Sequence, residues 1–261
     1  MTDKVLRTVT ETTEPEMARD RMSRAIRNWM VKLNDDPCWR EWKRSSIGYT
    51  LHFDDEFMSP KEMADEFKFS SETVDAEHAV VTRYMALHDT ANSLRDVEWY
   101  FRRYPFAGTP VTRYDHLTHC CELYLGRFYQ FKERLKNLFD AVKRAVPDHS
   151  LEAGKFIKLF QKTFKDEIEA RNGVHHRERF DDIAISRVFL TGLISTSNPE
   201  LGWEKECRFH YRKAANEWAA RTRRQADRMD TFIEAVAVAL LKVCPFLDET
   251  NHDSGEFSGG S

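Results

Sequence analysis

The sequence predicts an all-α protein: a bundle of four long helices with an N-terminal extension of mixed but mostly helical character. Three observations predict it. Apolar residues recur at three- and four-residue spacing over long stretches, which is the period of one helix face. Only 10 Gly and 8 Pro interrupt 261 residues, so turns are sparse. The β-branched runs that a doubly wound sheet needs between its helices are missing.

Thr13-Glu14-Pro15-Glu16 reads as a helix start, with Pro in the first turn and early acidic residues matching the helix dipole. That helix is expected to reach Leu33, where Asn34-Asp35-Asp36-Pro37 breaks it. Ile47–Phe53 is rich in β-branched and aromatic residues and predicts a short strand. Ser59-Pro60-Lys61-Glu62 resembles a capping box opening a short helix. These segments form the extension, residues 1–72.

From Thr73 the helical period is sustained. Val80, Tyr84, Leu87, Ala91, Leu94 and Phe101 mark the first long helix, closed by Pro105 and Gly108-Thr109-Pro110. Leu117, Cys121, Tyr124, Phe128, Phe131, Leu135, Leu138 and Val142 mark the second, stopped by Pro147. Ser150 is the expected N-cap of a third, with Leu151, Phe156, Leu159, Phe160, Phe164 and Ile168 on its apolar face. Residues 177–199 are less regular. A fourth helix is expected over roughly Trp203–Val243, with Trp218, Met229, Phe232, Val236 and Leu240 facing the core. The bundle thus covers residues 73–247. Residues 248–261 form an acidic, Ser/Gly-rich tail without periodicity, expected to be disordered.

The net charge of −3 argues against a generally basic nucleic-acid binder and leaves room for a local basic groove. Residues 1–14 lack the apolar core of a signal peptide, and no apolar run is long enough to span a bilayer. Five cysteines, without a CxxC pair, read as reduced thiols of a cytoplasmic protein. Cys120 and Cys121 fall within an apolar helix pattern.

Arg171-Asn172-Gly173-Val174-His175-His176 concentrates the chemistry. A guanidinium can hold a phosphate by two parallel hydrogen bonds, and an imidazole can move a proton near neutral pH. Spacing alone does not single this pair out. Arg83 and His88, Arg144 and His149, and Arg113 and His119 have similar separations. Its setting does: an amide follows the Arg, a glycine can bend the chain, and the last long helix comes next. Residues five apart on a straight helix lie about 140° apart, so Arg171 and His176 converge only if Gly173 bends the backbone. His175 would face Arg171 without a bend. The plainer alternative is a cationic helix C-terminus with Gly173 as its first non-helical residue.

The motif resembles that of the HEPN superfamily: helical bundles carrying an Arg, commonly followed by a polar residue such as Asn, and closed by a His that four to six residues separate from the Arg. The similarity spans roughly residues 73–245, although only the motif is sequence-specific. It implies a metal-independent ribonuclease, without a cofactor, whose catalytic residues are Arg171, Asn172 and His176. It further implies RNA as substrate, a homodimer that brings two motifs face to face, and a role as a toxin or phage-defence effector with an antitoxin or regulatory protein as partner. No membrane partner is implied. Non-catalytic members instead bind nucleotides or proteins, and that alternative stays open.

Around the motif, His175 is the alternative imidazole, and His119 and Glu122 are candidates to line the cleft. His116 and His119 are spaced as metal ligands on a helix, but no HExxH-like carboxylate accompanies them, and no metal is expected. Arg208, Arg212 and Lys213 open a cationic stretch that extends to Arg228. It reads either as a solvated, internally paired face or as a wall for an RNA backbone. Trp99-Tyr100-Phe101, Tyr104 and Phe106 are expected in bundle packing, with an interface role wherever they stay exposed.

Overall fold

The computed structural model describes residues 16–51, 67, 69, 71–176 and 182–247, with the side chains of 172–176 outside that set. The chain is all-α, with eight α-helices and no strand among the described residues. These are α1 (Ala18–Asn34), α2 (Pro37–Leu51), α3 (Glu72–Arg102), α4 (Arg113–Ala145), α5 (Ala153–Thr163), α6 (Lys165–His176), α7 (Ile183–Ser197) and α8 (Trp203–Val243). They divide into two compact units. One takes the chain up to Phe67 together with everything from Glu234 onward; the other is Lys68–Ile233.

In the first unit, α1 starts at Ala18 behind an N-cap at Met17, not in the first turn expected after Thr13. Thr13–Pro15 lie outside the described residues. The start is set by a distant side chain. The Glu234 carboxylate accepts the backbone N–H groups of Ala18 and Arg19, the latter at 3.2 Å, and pairs with the Arg19 guanidinium at 3.3 Å. A carboxylate on unsatisfied N–H groups is favoured by the helix dipole. The break at Asn34–Pro37 is present. The Asp36 carboxylate accepts from Cys38 N at 2.8 Å and Trp39 N at 3.3 Å, so Pro37 opens α2. The strand expected at Ile47–Phe53 is not formed: α2 continues to Leu51, and Phe53 lies outside the described residues. β-branched and aromatic residues lower helix propensity by well under about 1 kcal/mol each, and tertiary contacts override so small a preference. At the start of α2, Trp39 meets Phe67 edge-on at 5.1 Å and stacks on Trp42 of its own helix at 5.3 Å. The capping box at 59–62 and the tail 248–261 lie outside the described residues.

The second unit is built on α3, α4 and the first three-quarters of α8. The apolar positions that set the helical period are those buried: Val80, Leu87, Leu94 and Phe101 on α3, and Leu117, Phe128, Phe131, Leu135 and Leu138 on α4. α3 and α4 lie against each other, and the turn between them is fixed locally. Gly108 takes the left-handed φ of 80°. Thr112 and Asp115 form a reciprocal capping box, with Asp115 N on Thr112 Oγ1 at 3.1 Å and Thr112 N on Asp115 Oδ2 at 3.0 Å. Trp218 brings α8 against both helices, 5.9 Å from the Phe101 ring and 5.7 Å from that of Tyr124. Arg223 on α8 bonds Glu98 on α3 at 3.1 Å, which holds that carboxyl below the usual carboxylate range.

The third expected helix starts two residues late, at Ala153 behind Glu152, and is broken at Phe164 into α5 and α6. Phe164 is fully buried against Phe128 (5.3 Å) and Phe160 (4.9 Å). Arg228 satisfies the carbonyl freed at the break, donating Nη2 to Thr163 O at 2.7 Å. The stretch read as irregular after residue 177 is helical over Ile183–Ser197. Asp182 caps it, accepting from Ala184 N at 2.8 Å and Ile185 N at 3.1 Å. Its period is hidden because Ile183, Phe189, Leu190 and Leu193 are exposed while Ile185 and Val188 are buried, so apolar residues ring the helix.

Of the aromatic group near residue 100, Phe101 packs in the core, whereas Trp99 and Tyr100 face solvent. Four of the five thiols, Cys120, Cys121, Cys207 and Cys244, are buried, and Cys38 is exposed. Burial pushes the Cys120 thiol up to about 11 and raises Cys121 further. Among the described residues, no helix is long and apolar enough to cross a membrane.

Candidate active site

Arg171 sits in the second turn of α6, half-buried, with its guanidinium carbon 4.0 Å from the centre of the Tyr129 ring on α4. A guanidinium over an aromatic face is held by the ring quadrupole. Tyr129 is 43% exposed, so this cation–aromatic pair reaches the surface. The backbone stays helical from Lys165 to His176, through Gly173. The glycine therefore neither ends nor turns the helix there. In that register position 175 is one turn beyond Arg171, while position 176 is about 140° round the axis. The side chains of Asn172, His175 and His176 lie outside the described residues.

The arginines of the other Arg–His pairs each meet a partner, Arg83 and Arg144 at exposed positions. Arg83 Nη1 donates to Asn137 O at 2.6 Å, Arg144 pairs with Asp75 at 3.3 Å, and Arg113 pairs with Glu204 at 3.1 Å.

One turn before Arg171, Glu167 anchors α6. Its carboxylate is 2% exposed, and Oε1 accepts from Tyr124 Oη (3.1 Å), Arg221 Nη2 (3.1 Å) and Gln225 Nε2 (2.9 Å). The Arg221 guanidinium also lies 4.8 Å from the Trp218 ring. Burial first, and then the neighbouring Glu167 charge, raise the Tyr124 phenol. Neither Glu167 nor Tyr129 stood out in the sequence. A lone Glu on a charged helix looks solvated, and a Tyr beside a core Phe looks like packing.

His119 and Glu122 are exposed on α4. His116, three residues before His119, is not an available ligand. It is buried, with Nδ1 3.2 Å from Tyr211 Oη and Nε2 3.5 Å from Cys120 Sγ, and rings of Tyr104 and Phe106 beside it. Among the described residues no group of three or more His, Cys, Asp or Glu is placed to hold a metal. Burial depresses the His116 pKa, with the nearby His119 charge acting in the same direction and the Tyr100 backbone opposing. The unfolded chain therefore binds this proton more readily than the folded one. Stability is complete above the unfolded value of about 6.5 and falls as pH drops below it. The urea midpoint is expected to fall between pH 7.5 and pH 5.5, and His116→Gln is expected to flatten that slope; an unchanged slope would remove His116 from the effect.

Along α8, Arg208 donates to Glu204 Oε1 at 2.7 Å and Arg212 to the Arg208 carbonyl at 3.4 Å, while Lys213 is exposed. The later cations Arg221, Arg223 and Arg228 turn to Glu167, Glu98 and the Thr163 carbonyl. A pocket of about 450 Å³ lies elsewhere in this unit, walled by the α3–α4 turn, the start of α4, α7 and the start of α8. None of the residues singled out in the sequence as site residues lines it. No protein-family model matches the chain, and neither a curated protein nor a solved structure does.

Proposed function

We propose that the chain is a metal-independent ribonuclease of the HEPN type, acting through Arg171, Asn172 and His176. The observation that carries this reading is the Arg171–Tyr129 pair, a guanidinium 4.0 Å from a half-exposed ring. Aromatic rings and arginines side by side suit single-stranded RNA, because every base offers a face to stack.

RNA supplies its own nucleophile. An imidazole takes the 2′-hydroxyl proton as that oxygen bonds to phosphorus, and Arg171 stabilises the charge gathering on the equatorial oxygens. The bond to the 5′-oxygen then breaks, that oxygen takes up a proton, and a cyclic 2′,3′-phosphate remains. Asn172 orients one partner by hydrogen bonding. Because α6 runs straight through Gly173, His176 would meet Arg171 across a homodimer rather than within one chain, and the same dimer would bring two histidines together, one as base and one as acid. In the cell the reading fits a cytoplasmic toxin or defence effector restrained by an antitoxin or regulatory protein.

Wild-type protein is expected to cleave RNA in EDTA, with Arg171→Ala slower by about 10²–10³-fold. His176→Ala is expected to be slower by about 10²–10⁴-fold. His175→Ala in the same assay tells which imidazole works. Equal cleavage by all variants, or none by wild type, overturns the catalytic reading. The second reading is a non-catalytic module binding a protein or nucleotide, favoured by the exposed Phe189, Leu190 and Leu193 on α7. Binding of a protein or nucleotide without turnover, insensitive to His176→Ala, would select it.

A further inference from the structure

The pocket beside α7 has the chemistry of a small-molecule site. Its volume of about 450 Å³ falls within the range usual for ligand pockets, roughly 300–1,000 Å³. Tyr104, Tyr114 and Phe189 give it aromatic walls. The Tyr114 and Phe189 rings stand 5.0 Å apart and tilted by 55°, forming a corner into which a third ring can pack. Phe189 is 45% exposed and Leu193 55%, so apolar surface at the rim is left uncovered.

The charges are specific as well. Arg113 and Glu204 meet in the wall at 3.1 Å. The guanidinium is also 5.5 Å from the Tyr104 ring. Asp115, the other carboxylate of the lining, is committed to the Thr112 cap. One lining cation faces two lining carboxylates, and Arg208, bonded to Glu204 from outside, brings the local sum to zero. A ligand with a net charge gains little from such a balance. A ligand carrying both signs gains at each end. A guanidinium has five donors, of which Glu204 takes one here, and its fork matches a carboxylate. Glu204 Oε1 takes both arginines, and its second oxygen faces no such partner among the bonds above; an ammonium group complements it. An α-amino acid bears its carboxylate and ammonium on one carbon, matching two opposite charges in contact.

We propose that this pocket binds a free aromatic α-amino acid: carboxylate on Arg113, ammonium on Glu204, and side-chain ring in the corner of Tyr114 and Phe189. This site is separate from the ribonuclease reading and does not depend on it.

Titration calorimetry on the full chain tests the proposal with L-tryptophan and L-phenylalanine against three controls. Indole-3-acetate is the aromatic anion, tryptamine the aromatic cation, and L-alanine the zwitterion without a ring. One or both aromatic amino acids are expected to bind with a Kd of roughly 0.1 mM, at least tenfold tighter than every control. Arg113→Gln and Glu204→Gln are each expected to weaken binding tenfold or more. Phe189→Ala, at a half-exposed position, is expected to do the same, with circular dichroism confirming each variant's helicity. The proposal is overturned if neither amino acid binds in the low millimolar range, if the anion or cation binds as tightly, or if Phe189→Ala leaves binding unchanged.

Discussion

Replacing Glu167 by alanine is expected to destabilise the protein by about 3–5 kcal/mol, the usual result of removing one partner from a buried ion pair. The carboxylate is 2% exposed and serves three donors with one oxygen. Its loss leaves the Tyr124 hydroxyl unsatisfied in the core and the Arg221 guanidinium, 34% exposed, without its counter-charge. Each such group costs about 1–3 kcal/mol or more when stranded. Urea unfolding followed by circular dichroism reads the effect. A second measurement separates lost charge pairing from lost packing. The Glu167→Met, Arg221→Met double variant is expected to be more stable than Glu167→Met alone, because it strands no charge. A single-variant loss under about 1 kcal/mol would show that water already reaches this carboxylate. Since Glu167 lies one turn before Arg171, the same variant is expected to loosen the seating of α6 and so the Arg171–Tyr129 pair.

Phe160→Ala is expected to cost about 3–5 kcal/mol by leaving a cavity that its neighbours cannot fill. Phe160 is fully buried, stacked on Phe131 at 5.0 Å and touching Phe232 at 5.4 Å and Phe164 at 4.9 Å. It thereby joins α4, α5 and α8 at one point. Phe160→Leu keeps most of the volume and is expected to cost less than half as much in the same unfolding experiment. Equal losses for the two would mean that ring geometry, rather than filled volume, sets the cost.

These two positions show what the sequence could and could not reveal. Phe160 was legible, because its place in a three- and four-residue period marks the buried face of a helix. The same period located α3, α4 and α8 to within a few residues. Glu167 was not legible, because its donors come from positions 124, 221 and 225, distant in sequence. The start of α1 was equally hidden, since the capping carboxylate is Glu234. The break at Phe164 escaped notice for a different reason: Phe164 is apolar and in phase with Phe160, so the pattern runs smoothly over a place where the backbone does not. At the candidate site, the residue types of the Arg–His motif were plain from the sequence. Tyr129 beneath the guanidinium was not, because α4 and α6 meet only in the fold. Over Ile47–Leu51 the strand expected for Ile47–Phe53 gives way to a continuation of α2, because a local preference for extended backbone is too weak to end a helix already formed.

The distribution of thiols has a practical consequence. Cys38 on α2 is exposed, while the other four are enclosed and held in the unreactive protonated form or shielded by packing. A thiol-reactive dye would therefore mark the native chain at one address, in the first unit, far in sequence from Arg171 and from the pocket residues. That gives a spectroscopic label that leaves both proposed sites chemically untouched, and the appearance of further labelling becomes a clock for the opening of the core.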